Sequence, residues 1–334
     1  MRDVFLTYSL HALPWDIILI VLLSGAALLG RQSLRWARGS AQSRLQRYCA
    51  YSGFMGSCLA ILILLYGSFV EPQLITVTER RVTLPLNPGE TLRIAVLSDM
   101  HVGPYKGRRY LARVVERVNA LEPDFVFLLG DFIFFEYDPV DDLSPLRDLH
   151  PRYETYAIMG NHEHGCYTES PLERLLGGGS DHSLPVRRAL ERSSVTVLRN
   201  EWKEVQTEGR PVFISGVDDL CSHHDRIGDV VPELQRRSVL ILLAHSPDVI
   251  LEGEAKRYHL ILAGHTHGGQ IRLPFIGPIP PLPTQLGRRY DQGLFPVDAN
   301  TTLAITRGIG ESGPRARLFA TPEILLLQAR GEAL

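Results

Sequence analysis

The sequence predicts a layered α/β domain carried behind two apolar N-terminal segments. Three observations predict it. Two uncharged apolar stretches lie before residue 71. From Thr91 onward, short β-rich apolar runs alternate with helical stretches, as stacked sheets and helices require. Five of those runs end in a side chain able to bind a metal ion.

Residues 17–30 read IILIVLLSGAALLG and residues 52–70 read SGFMGSCLAILILLYGSFV. A bilayer core asks for roughly 20 apolar residues in a helix. The second stretch is long enough, and the first becomes so only if Ala12 to Asp16 are included. A helical hairpin of two spans, about 12–30 and 52–70, is therefore expected, ahead of an interfacial first helix. A cleavable signal peptide fits less well, because the leader MRDV is not clearly basic and a second apolar segment follows closely. Two buried helices of a soluble domain would need amphipathic neighbours that the flanking sequence lacks. Arg31, Arg35, Arg38, Arg44 and Arg47 lie between the segments without an acidic residue, whereas Glu71 follows the second. The positive-inside rule places this arginine loop in the cytoplasm and everything after Val70 across the cell (inner) membrane. The expected domains are an anchor over 1–72, a linker over 73–90 and a catalytic domain over 91–330.

Within that domain, strands are expected at residues 92–97, 125–129, 156–159, 212–215, 239–243, 260–262, 303–306 and 324–327. A helix is expected over 107–121, with Leu111, Val114, Val115, Val118 and Leu121 on one face. A Gly-rich polar stretch at 177–180 separates the third and fourth strands. With 35 basic and 37 acidic residues there is no global basic field, so no nucleic-acid partner is expected and an anionic substrate must be met locally. The four cysteines are too few for a disulfide framework. Cys166 and Cys221 could pair in an oxidising compartment, but spacing cannot place them within bridging distance.

The chemistry lies at the ends of the runs: Asp99 and His101 after the first, Gly130-Asp131 after the second, and Gly160-Asn161-His162-Glu163 after the third. His245 follows a later run and Gly264-His265-Thr266-His267 the last. In an open α/β sheet, ligands gather outside the carboxyl ends of the strands. Asp99 and His101, two apart, would point to one side of an extended backbone. Carboxylate, imidazole and amide oxygen suit manganese, iron, zinc or magnesium-like ions. One tetrahedral ion would be saturated by half of this set, so two ions sharing a carboxylate are expected, with Asp131 the candidate bridge. Leu273 to Pro283, LPFIGPIPPLP, is too proline-rich for a central strand. It reads as a rigid surface loop or as an apolar lip beside the metals that touches lipid. Arg288, Arg289, Arg307, Arg315 and Arg317 are candidates for local phosphate-binding charge.

The ordered set D-x-H, G-D, G-N-H-E, a later lone His and G-H-x-H resembles the calcineurin-like metallophosphoesterases, in particular their membrane-anchored bacterial branch. The likeness runs from about Ile94 to Gln328 and takes in the G-V-D-D at 216–219, G-R-R-Y at 287–290 and R-G-I-G at 307–310. It implies a four-layer α/β/β/α sandwich of two mixed sheets. It further implies that Asp99, His101 and His267 hold one divalent ion, Asn161, His245 and His265 the other, with Asp131 between them and manganese favoured. His162 would not be a ligand but would contact phosphate and protonate the leaving oxygen. The implied activity is hydrolysis of a phosphomono-, phosphodi- or pyrophosphate ester by in-line attack of a hydroxide shared by the ions, with a lipid-linked substrate one reading. Two alternatives stand beside it. One is UDP-2,3-diacylglucosamine pyrophosphatase activity in lipid A synthesis, which needs a cytoplasmic site. The other is a catalytically silent metal-binding scaffold.

Overall fold

The computed structural model describes residues 13–39, 42–135, 139–166, 180–232 and 238–331; Ala12 and most of the Gly-rich stretch lie outside them. Two long helices come first, α1 (Leu13–Ala37) and α2 (Arg44–Leu65). Both are long and apolar enough to cross a membrane, and almost none of their apolar surface is covered by the protein. Ile20, Val21, Leu28 and Leu29 of α1 and Met55, Leu59 and Leu62 of α2 all stand exposed. The helices instead meet through small residues: Gly30 faces Ser57 and Gly53 faces Ser33, which lets the backbones approach. Much of the arginine stretch is helical, with Arg31 and Arg35 on α1 and Arg44 and Arg47 on α2. Ser43 caps α2 in a reciprocal box with Gln46. Beyond Leu65 the chain continues through one wide helical turn, Tyr66–Val70, and a 3₁₀ turn, Glu71–Gln73.

Residues 76–83 fall in the stretch read as linker, and here the structure differs: Thr76–Thr83 is strand β1. Its polar, alternating sequence TVTERRVT suits an edge, and it pairs in parallel with β14 (Glu323–Arg330), Thr76 opposite Glu323. The first sheet continues with β2 (Thr91–Leu97), β3 (Phe125–Leu129), β4 (Glu154–Ile158) and β5 (Thr196–Val197), in the order β1-β14-β2-β3-β4-β5. The second contains β6 (Glu201–Val205), β7 (Val212–Gly216), β8 (Val239–Leu243), β9 (Leu260–Ala263), β12 (Gly293–Pro296) and β13 (Thr302–Ile305), in the order β12-β13-β9-β8-β7-β6. A small hairpin, β10 (Arg272–Leu273) with β11 (Gly277–Pro278), stands apart from both.

Period-two alternation explains how these sheets stack. Ile94, Val96, Phe125, Phe127 and Ile158 point inward from the first sheet and meet Ile214, Ile241, Leu243 and Leu262 from the second. The alternate residues Ala95, Leu97, Val126 and Leu128 face outward onto α3 (Arg108–Asn119) and α4 (Ser183–Arg192). The face of α3 that packs there carries Leu111, Val114, Val115 and Val118, as its spacing predicted. The outer face of the second sheet is covered by short 3₁₀ turns at Ile227–Val230, Pro247–Leu251 and Gly253–Arg257. The fourth layer is thus built of turns, not long helices. β2, β3, β4, β8 and β9 all run parallel to a neighbour, and their carboxyl ends open on one edge.

Candidate metal centre

Each expected site residue follows one of these strands, and all eight are buried. The backbone that carries them is not extended. Asp99, His101, Asp131, His265 and His267 take φ of 52°, 43°, 54°, 68° and 51°. This corrects the extended geometry expected for Asp99 and His101: β2 ends at Leu97, and both side chains turn inward through left-handed residues. Two glycines make the crossing possible. Gly130, at φ +86°, lies so near Gly160 that a Cβ would come 2.5 Å from the Gly160 nitrogen, and a Cβ on Gly160 would collide with the Asp131 carboxylate.

The nitrogen and oxygen atoms converge in two groups. His101 Nε2 lies 3.3 Å from His267 Nε2, which lies 3.4 Å from Asp99 Oδ1. His245 Nε2 lies 3.1 Å from Asn161 Oδ1 and 3.1 Å from His265 Nδ1. Between the groups stands Asp131, its Oδ2 3.1 Å from His245 Nε2 and 3.6 Å from His101 Nε2. Buried imidazole nitrogens facing one another and a carboxylate, with Asp131 Oδ2 lacking a hydrogen-bond donor, form a donor set that suits divalent cations. Asp99, His101 and His267 meet the spacing of a metal site, as do Asp131, His245 and His265.

Electrostatics keep His101, His265 and His267 ready for a cation. Burial and the neighbouring imidazoles hold His101 and His267 well below the ordinary histidine range, and burial with His245 takes His265 down to about 3. Burial thus favours the neutral form of these rings, in which a lone pair is available. His245 goes the other way: burial lowers it, but the Asp131 carboxylate outweighs burial and raises it. Burial would raise Asp131, yet His245, His162 and His101 around it hold it well below its usual value.

Neighbouring groups fix this arrangement. The Glu163 carboxylate accepts hydrogen bonds from the backbone N–H groups of Asp131 (2.9 Å), Phe132 (2.8 Å) and Gly160 (2.9 Å). It thereby locks the two crossing turns. The His162 backbone N–H donates to Asp131 Oδ1 at 3.0 Å, its Nδ1 lies 2.7 Å from the Phe134 carbonyl, and its Nε2 is 3.9 Å from Asp131 Oδ2. His245 Nδ1 lies 2.6 Å from the Leu129 carbonyl, which fixes the ring so that Nε2 faces the site.

Sequence reasoning gave no role to His164. It is buried, with Nε2 2.8 Å from Asp218 Oδ1 in the G-V-D-D segment, and Arg199 holds the other oxygen of that carboxylate. Burial would lower His164, and the bond to Asp218 raises it instead. The adjacent Cys166 forms a disulfide with Cys221, their Cα atoms 6.3 Å apart. Asn161 Nδ2 donates to the Cys166 carbonyl at 2.8 Å, so the bridge supports the turn that presents Asn161. Of the candidate phosphate arginines, Arg317 is fully buried and donates to the carbonyls of Gly310, Ala320 and Arg307. Arg307 is bonded to Thr321 and Gln292, and Arg288 to the Pro278 carbonyl. These three hold loops together.

A family model for the calcineurin-like phosphoesterases matches residues 92–269, which contain every one of the eight site residues. The chain belongs to that family. Its relatives include the uncharacterized metallophosphoesterase YkuE of Bacillus subtilis, 31% identical over 78% of this chain and 87% of that protein. The phosphodiesterase YaeI of Escherichia coli is 27% identical over 79% and 91%. A transmembrane protein with a metallophosphoesterase domain from Danio rerio is 31% identical over 70% of this chain and 52% of its own length. The protein is accordingly a metal-dependent phosphoester hydrolase with a His/Asp cluster able to bind divalent metals, acting on a phosphate-ester substrate. Its two apolar helices and its transmembrane relative point to a membrane.

Proposed function

We propose that this is a membrane-anchored phosphodiesterase with two divalent ions, manganese favoured, whose site faces away from the cytoplasm. The observation that carries the reading is the convergence of two donor groups on Asp131. Asp99, His101 and His267 would hold one ion, Asn161, His245 and His265 the other, and Asp131 would serve both. Bound there, the ions supply a nucleophile from water at neutral pH and positive charge for the phosphoryl oxygens. The chain's own residues do the rest. Glu163 and Gly160 keep Asp131 from shifting as charge accumulates. Phe134 holds His162 Nδ1, which leaves Nε2 at the rim of the site to hand a proton to the departing oxygen.

The side of the membrane is read from the arginines of α1 and α2 and from the Cys166–Cys221 bridge, which persists in oxidising compartments and not in the cytosol. A lipid-linked phosphate ester is the substrate class that fits an anchored site with an apolar loop beside it. The decisive experiment uses the full chain in detergent, stripped with chelator and reloaded with Mn²⁺, on bis-p-nitrophenyl phosphate. Asp131→Asn should lower turnover by at least about 100-fold and reduce bound metal while the fold persists. Two ions per chain with activity within about tenfold of wild type would overturn the assignment.

A further inference from the structure

We propose that the β10–β11 hairpin, with Phe319 beside it, inserts into the bilayer interface and seats the mouth of the metal centre on the lipid surface. The proposal rests on the reading of α1 and α2 as a membrane anchor and goes beyond it by giving the catalytic domain its own lipid contact. At the tip, Phe275 is fully exposed, flanked by Leu273, Ile276 and Ile279, and Phe319 beside them is exposed as well. Phe275 is held at φ +66°, a conformation a bulky residue seldom adopts, at a hairpin tip where glycine would be relaxed. The base packs on the protein, with Pro278 buried against Gly269. A loop that merely packs on itself would not hold four apolar side chains in water.

Continuity with the anchor identifies the occupant. Arg317 N–H donates to the Gly67 carbonyl at 2.8 Å, in the turn that ends the second span. The next residue, Leu318, donates to Gln270 and accepts from Arg272 N–H at 2.9 Å, so one strand of chain separates the helix end from the hairpin base. Arg315 lies over the Phe69 ring, 4.7 Å from its centroid, a cation and an aromatic together at the helix end as at a membrane interface. The start of α1 reaches the same face: Trp15 lines a groove of about 350 Å³ together with His267, Ile271, Pro281 and Leu282. The exits of both spans, the hairpin and an edge of the metal centre therefore share one face. An apolar tip with an aromatic at its apex on that face fits a lipid surface.

The test uses the full chain in phosphatidylcholine vesicles, with Cys49→Ser and Cys58→Ser to remove the free thiols and a nitroxide on Phe275→Cys or, as reference, Leu251→Cys. At position 275 the label should be relaxed more by oxygen than by a water-soluble nickel chelate, and at exposed Leu251 the reverse. Phe275→Ser with Ile276→Ser should lower kcat/KM about tenfold for hexadecyl p-nitrophenyl phosphate carried in vesicles, and leave hydrolysis of bis-p-nitrophenyl phosphate unchanged. A chain that resists alkaline carbonate but shows water contact at 275 overturns the insertion and leaves the anchor standing. Release by carbonate sinks both. Equal losses on the two substrates, or no loss on either, would remove the seating role.

Discussion

Five side chains of the proposed site in the left-handed region is a costly arrangement, on the order of 1 kcal/mol for each residue so placed. The surrounding structure enforces it through Gly130, Gly160 and the Glu163 carboxylate, whose acceptors are filled by backbone donors of both turns. The convergence of the expected site residues was legible in the sequence because each follows an apolar run. The handedness of the turns was not, since Asp and His carry no mark of positive φ. Nor was the role of Glu163, which acts through backbone N–H groups that a sequence does not display. His162 offers the sharpest test at this scale. It belongs to a buried trio with His101 and Asp131 whose spacing would also admit an ion, so the acid role and a ligand role must be separated. With His162→Asn, kcat/KM across esters of graded leaving-group pKa should fall by about 10²- to 10⁴-fold for basic alkoxides and much less for nitrophenolates, with metal content unchanged. A uniform loss would leave His162 as an electrostatic clamp, and a loss that follows falling metal would make it a ligand.

At the scale of elements, the strands that run through the middle of the sheets were the readable ones. Residues 125–129 and 239–243 are continuous apolar runs and fold as expected. The edge strands β1 and β6 escaped because their sequences, TVTERRVT and EWKEV, are largely polar, and β12 because four residues, GLFP, bounded by glycine and proline carry little strand signal. The helix end after α2 shows the same dependence on distant chain. Glu71 accepts from Ala320 N–H at 2.7 Å, and buried Lys106 reaches both the Pro72 carbonyl and Glu311, 3.3 Å away. Burial lowers the Lys106 ammonium from 10.5 to about 8 despite Glu311. The charged form is thus less favourable in the folded chain than in the unfolded one, a cost of ~3 kcal/mol at most. That cost is present in full below pH 8 and fades between pH 8 and 10.5, where the unfolded chain binds the extra proton and stability rises with pH. Lys106→Met should lack this rise. In thermal unfolding of the detergent-solubilised chains, wild-type stability relative to the variant should increase from pH 7.5 to 9.5. A constant difference would show that the ammonium is not titrating in this window.

For the whole molecule, the proposal that the site faces away from the cytoplasm rests on two separate arguments, one from the apolar helices and one from the catalytic domain. By the positive-inside rule, the arginines of α1 and α2 would place the connection between the helices in the cytoplasm, an argument from the first fifty residues alone. The Cys166–Cys221 bridge speaks for an oxidising compartment around a loop more than a hundred residues later. Sequence spacing left that pairing open, because the two cysteines are brought together only by the turn after β4 meeting the segment after β7. Alkylation in intact cells tests the proposal. Cells lysed in denaturant with a polymer-linked maleimide should give a chain that gains two additions, on Cys49 and Cys58, and four only after reduction. A phosphatase reporter fused after Leu334 should be active on the non-cytoplasmic side. Four additions without reduction, together with a silent reporter, would place the metal centre in the cytoplasm. The apolar face beside it would then meet the inner leaflet, and a cytoplasmic lipid precursor carrying a pyrophosphate would become the substrate to test first. Because Asn161 leans on the Cys166 carbonyl, the same bridge also bears on the metals: Cys166→Ser should weaken the site of Asn161, His245 and His265 before that of Asp99, His101 and His267. Metal content under increasing chelator should show one ion leaving early and the other retained, and simultaneous loss of both would mean that the bridge does not support Asn161 in particular.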